Sequence, residues 1–162
     1  TTEGNLGDGF FPLPGFLHAG GRIAIGGDSH VSVDPAEELK ALEYSQRLLH
    51  RRRNVAASGN VPSTAERLWS AAALNGAKVL GLEGGEIAPG RRADLVVIDM
   101  DNVSLAGRNA AEALGSYVFV AGRNAVSDVM VGGRWVVRDQ VHECDDRAAA
   151  SYRACMSAFD GA

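Results

Sequence analysis

The chain has 162 residues, of which 46% are hydrophobic and 22% charged, and its formal net charge is -4. That length suits one domain of ordinary size, and the negative balance argues against a nucleic-acid binder, which needs a basic face. No apolar run approaches the roughly 20 residues needed to span a bilayer, and no signal-peptide pattern opens the chain.

The first 21 residues are rich in glycine and turn formers, with a short helical candidate around Leu13–Ala19. The stretch Gly4-Asn5-Leu6-Gly7-Asp8-Gly9 lacks the Lys-Ser/Thr that completes a phosphate loop and is read as a turn. Because the chain starts Thr1-Thr2-Glu3 without Met, inside what reads as a loop, it is expected to be a piece of something longer. Arg22-Ile23-Ala24-Ile25-Gly26 is a short apolar run between glycines, the pattern of a fully buried strand in a parallel sheet.

At the end of that run come Gly27-Asp28-Ser29-His30. Ligands in parallel α/β folds bind at the carboxyl ends of strands. A carboxylate there has two readings: a metal ligand or acid/base group, or a residue that caps a turn beside an exposed histidine. His18, His50 and His142 have no ligand spacing and read as surface or packing residues.

Asp34 and Pro35 then open a helix, with Glu37 and Glu38 at its positive end and Leu39, Leu42 and Leu49 on one face. Arg51, Arg52 and Arg53 follow at the negative end, where they read as a solvated terminus rather than an anion site. Ser63-Thr64-Ala65-Glu66 is a capping-box pattern, and the helix it opens should end at Gly81. Past Gly84 the texture changes. Ala93–Asp99 and Tyr117–Val120 read as strands, and Val129–Val137 reads as a hairpin closed by Gly132-Gly133. A last helix starts near Asp145, with Ala148, Tyr152, Cys155 or Met156, and Phe159 on one stripe. Cys144 and Cys155 form no disulfide framework or zinc-ribbon spacing; a buried free thiol at Cys155 and a reducing cytoplasm are expected.

Several blocks carry a resemblance. Glu3–Gly9 leading through Gly20-Gly21 into Ile23–Asp28 resembles the last barrel segment of amidohydrolase-superfamily deaminases. Ala73–Leu82 resembles their next helix, Ile87–Asp99 the re-entry into their small β-sandwich, and Val129–Arg134 its closing hairpin. Gly27–Ser32, Glu37-Glu38-Leu39 and Leu42–Leu48 look like the formimidoylglutamate deiminases within that superfamily.

The resemblance implies an α/β fold: the C-terminal end of a metal-dependent hydrolase TIM (β/α)8 barrel plus part of a small composite β-sandwich. Residues 1–82 would be barrel strands and helices, 83–142 sandwich strands and 143–162 a C-terminal helix. It further implies zinc-dependent conversion of N-formimino-L-glutamate and water to N-formyl-L-glutamate and ammonia, in histidine degradation. The alternatives are another deaminase of the superfamily (guanine, cytosine or chlorotriazine type) or a non-catalytic packing piece.

Of the superfamily's metal ligands only the Asp after the eighth strand maps here, onto Asp28; this chain has no His-x-His. A full barrel takes ~250 residues, so the zinc site needs the N-terminal part of the same protein. Zinc is expected to bring the pKa of its water toward ~7, with Asp28 as ligand and proton acceptor. Ser29 and His30 are implied as substrate-orienting neighbours. The expected partners are a small-molecule substrate, the missing N-terminal part and a second copy in a homodimer, with no nucleic acid and no membrane.

Overall fold

The computed structural model describes residues 1–159; the end of the expected C-terminal helix, 160–162, lies outside them. The chain forms α1 (Thr2–Leu6), α2 (Leu13–His18), α3 (Pro35–His50), α4 (Thr64–Val79), β1 (Leu95–Ile98), α5 (Ala110–Ser116), β2 (Val126–Val131), β3 (Arg134–Arg138), β4 (Val141–His142) and α6 (Asp145–Phe159). Tighter and wider helical turns at Val103–Leu105, Tyr117–Ala121 and Gly122–Ala125 lead into and out of α5.

The two long helices begin where the local chemistry says they should. Asp34 Oδ1 accepts the Ala36 amide at 2.9 Å, with Pro35 in the first turn. Ser63 Oγ accepts the Glu66 amide at 3.2 Å. Each bond satisfies a donor that the helix leaves free. The α3 face differs from the expected leucine stripe: Ala36, Leu39, Glu43 and Gln46 are buried, whereas Leu49 is 50% exposed.

A polar face can be buried because backbone groups meet it. Glu43 accepts Val55 N and Ala56 N, both at 2.9 Å, and Arg47 Nε at 2.8 Å. Gln46 Nε2 donates to the Phe11 carbonyl at 2.7 Å. Arg67 of α4 reaches the Ala56 and Ala57 carbonyls at 2.7 and 3.1 Å, so the turn after α3 is clamped from both helices.

Leu13, Ile23, Leu39, Ala56, Leu68 and Val118 make up the main core between α2, α3, α4 and the 117–121 segment. Burying each such leucine is worth roughly 1.5–3 kcal/mol. Here the structure corrects one expectation. Tyr117–Val120 is helical, not a strand, and both Tyr117 and Val118 are buried against α3 and α4. A four-residue apolar run has too little length for its period to separate the two forms. An unforeseen capping box at Asn109 and Glu112 starts the helical stretch that carries it there.

Tyr117 meets Trp69 edge-on at 5.4 Å, and Phe119 stacks on Tyr44 at 5.9 Å. Asp34 also ties down the turn that follows, Gly122–Ala125, because its Oδ2 accepts Arg123 N at 3.0 Å. Burial, and then the negative charge of Asp34, push the Tyr117 phenol up from its ordinary value of 10.0 to about 12. The folded state therefore favours the neutral phenol. Its contribution to stability is whole below pH 10 and is lost as pH rises through 12. In an alkaline absorbance titration, one tyrosine should ionise late, and Tyr117→Phe should remove that late step. If the Phe variant gives the parent curve, the assignment is wrong.

The strands form one antiparallel sheet in the order β1-β2-β3-β4. Leu95 pairs with Met130 and Val131 with Arg134, with irregularities between Val97 and Ile98 and between Val129 and Met130. The hairpin turn is as expected: Gly132 and Gly133 have φ of +57° and +82°, which suits glycine in both central positions. Asp94 and Asp99 shape turns. Asp94 Oδ1 accepts Gly132 N at 2.7 Å, and that bond lowers the Asp94 carboxyl below its usual range, with Arg92 adding to it.

Two further expectations are corrected. Arg22–Gly26 pairs with no strand among the described residues, since no neighbouring strand of this chain lies beside it. Only Ile23 is buried there, and Asn75 Nδ2 caps its carbonyl at 2.9 Å. Cys155 is exposed, as are Tyr152, Met156 and Phe159, because no described element covers that side of α6. No described helix is long and apolar enough to cross a membrane.

Candidate active site

The site is built on the turn that follows the Arg22–Gly26 run. The His30 amide donates to the Gly27 carbonyl at 2.6 Å, so Asp28 and Ser29 occupy the two central places of a tight turn. His30 then takes a φ of +55°, a conformation histidine enters more readily than most residues. The glycines beside Asp28 are needed for space. A Cβ on Gly26 would lie 2.8 Å from Asp28 Oδ1, and one on Gly27 would lie 2.9 Å from the Ser32 carbonyl.

Asp28 is exposed, and its carboxylate makes no hydrogen bond to any described residue. It borders a cavity of about 440 Å³, together with Thr2 and Glu3 of α1, Phe10 and Phe11 of the next loop, and Glu38 of α3. The turn therefore leaves the carboxylate free to act on something placed in that cavity. Of the residues read from sequence as site neighbours, Ser29 and His30 are not on the cavity lining. Ser29 instead meets Thr2: its amide donates to Thr2 Oγ1 at 3.1 Å, and the Thr2 hydroxyl donates to Ser29 Oγ at 3.1 Å. The Glu38 carboxylate accepts the Thr1 hydroxyl.

Thr2 and Gly26 escaped the sequence reading. The paired glycines before Asp28 were a signal for Gly26, since a carboxylate folding back on the run that precedes it needs a residue without a Cβ. Nothing local to Thr2 announces a bond to a residue 27 positions away.

Zinc in structural and catalytic sites takes three or four protein ligands. No three His, Cys, Asp or Glu side chains among the described residues come together to hold a metal ion, even though Glu3, Asp28 and Glu38 share one cavity. The residues present therefore do not make a zinc site by themselves.

Comparison with known proteins agrees with the order of elements. Over 152 residues, 94% of the chain, it is 47% identical to formimidoylglutamate deiminase of Pseudomonas aeruginosa and covers 34% of that protein. Over 137 residues, 83% of the chain, it is 34% identical to 5-methylthioadenosine/S-adenosylhomocysteine deaminase of Pyrococcus abyssi, covering 30% of it. The crystal structure of an amidohydrolase from Brucella melitensis superposes with a TM-score of 0.84 at 35% identity, over 96% of this chain and 34% of that one. The chain thus spans about a third of the length of the relatives it matches. The sequence model of the amidohydrolase family matches residues 1–136, and the chain belongs to that family.

Proposed function

We propose that this chain is the C-terminal part of a metal-dependent hydrolase that deaminates N-formimino-L-glutamate to N-formyl-L-glutamate and ammonia. The observation that carries the reading is the 47% identity to a formimidoylglutamate deiminase across nearly the whole chain, turn residues and Asp28 included in the aligned span. On this reading residues 1–82 close a (β/α)8 barrel, and the β1–β4 sheet belongs to a small sandwich domain.

Asp28 is assigned as one metal ligand and as the group that moves a proton. The zinc ion and its remaining ligands would be supplied by assembly with the part of the protein outside this chain. In the net reaction, water adds its oxygen to the formimino carbon, the bond from that carbon to the terminal nitrogen breaks, and ammonia leaves. The water gives up both of its protons to that nitrogen: Asp28 takes the first and passes it on, and the second follows from the newly formed hydroxyl as the carbonyl forms and ammonia leaves. A carboxylate suits this because one oxygen can stay bound while the other carries the proton. Ser29 and His30 are proposed to order the turn rather than to touch substrate, since neither lines the cavity.

A second reading, a sister deaminase acting on a purine nucleoside, draws on the 34% identity to the Pyrococcus abyssi protein. Ammonia release by the full-length protein separates the two. Turnover of N-formimino-L-glutamate at least about 100-fold above that of adenosine-type substrates, as a site built for one set of polar groups gives, is the expected outcome. The reverse ranking would discard the first reading.

A further inference from the structure

We propose that Thr2 is a positioning residue for Asp28, its hydroxyl holding the Ser29 end of the turn so that the Asp28 carboxylate is presented to the cavity. This inference rests on the reading of Asp28 as the reacting carboxylate. The geometry is specific. The turn's own closure is a single bond, His30 N to the Gly27 carbonyl at 2.6 Å. Among the described residues no hydrogen bond restrains the Asp28 side chain, so its aim depends on how the turn's backbone is fixed.

Thr2 supplies that fixing from a different element. Its one hydroxyl accepts the Ser29 amide and donates to Ser29 Oγ, each at 3.1 Å. A hydroxyl has one proton to give and lone pairs to accept with, so the two bonds are compatible and together use its donor. Thr2 also borders the same cavity as Asp28. Gly26 completes the arrangement from the other side, because its missing Cβ is what lets Asp28 Oδ1 lie over the end of the run.

The test uses the full-length protein with Thr2→Val, which keeps the shape and removes both hydrogen bonds, and Thr2→Ser, which keeps the hydroxyl. Thr2→Val should lower kcat by about 10–100-fold, the usual effect of removing a group that orients a catalytic ligand. KM and melting temperature should stay near the parent values, and Thr2→Ser should recover most of the turnover. Amide hydrogen exchange at Ser29 should speed up in Thr2→Val and not in Thr2→Ser.

Parent-like turnover or unchanged Ser29 exchange in Thr2→Val overturns the proposal. So does a Thr2→Ser variant as slow as Thr2→Val, or a fall in turnover that merely tracks a fall in melting temperature. Asp28→Asn run alongside keeps the two ideas apart. If it is active, the reading of Asp28 fails and this proposal goes with it; if it is inactive while Thr2→Val is normal, only the role of Thr2 fails.

Discussion

Asp28→Asn in the full-length protein should lower kcat by about 10²–10⁴-fold, the range lost when a group that moves a proton in the transition state is removed. Asparagine has nearly the same size, but its amide nitrogen cannot take up a proton and is a poor metal ligand. Stability should hardly change, because the Asp28 side chain is exposed and no described residue hydrogen-bonds to it. Steady-state turnover and a melting curve of the same preparation read both quantities. A variant with parent turnover removes Asp28 from the chemistry; one that melts much earlier while keeping its full zinc content means that the carboxylate serves the turn instead.

The opposite pattern is expected at Glu43. Its side chain is fully buried, and it accepts three hydrogen bonds, from Val55 N, Ala56 N and Arg47 Nε. Glu43→Ala strips the partner from two backbone amides and from a guanidinium whose side chain is itself only 20% exposed. Breaking a buried ionic pair on one side costs about 3–5 kcal/mol, because the charge left behind has no partner. Urea unfolding should show the midpoint falling by that equivalent with the slope retained. Glu43→Gln should lose less, since its oxygen still accepts while its NH2 faces a second donor. A midpoint shift under about 1 kcal/mol for Glu43→Ala, the range of an exposed ion pair, would mean that the turn after α3 does not depend on this carboxylate.

Both residues sit on one stretch of chain, yet only one of them announced itself. Asp28 could be proposed from a local signal, an apolar run between glycines with a carboxylate at its end. Glu43 lies mid-helix, and no local pattern singles it out. Its burial comes from residues 55 and 56, which the turn after α3 folds back onto it.

Local chemistry in the sequence determined the starts of α3 and α4, the Gly132-Gly133 hairpin and the turn roles of Asp94 and Asp99, because caps and tight turns are set by residues within a few positions of one another. The tertiary structure decided that α3 buries Glu43 and Gln46 while Leu49 stays exposed, that α6 leaves Cys155 open, that Thr2 grips Ser29 and, together with the Asn109–Glu112 capping box, that Tyr117–Ala121 is helical. Each of those outcomes depends on which distant group arrives to cover or bond a side chain. A run such as Tyr117–Val120 satisfies its backbone equally well as strand or helix, and the capped helix before it and the neighbours it packs against settle the choice.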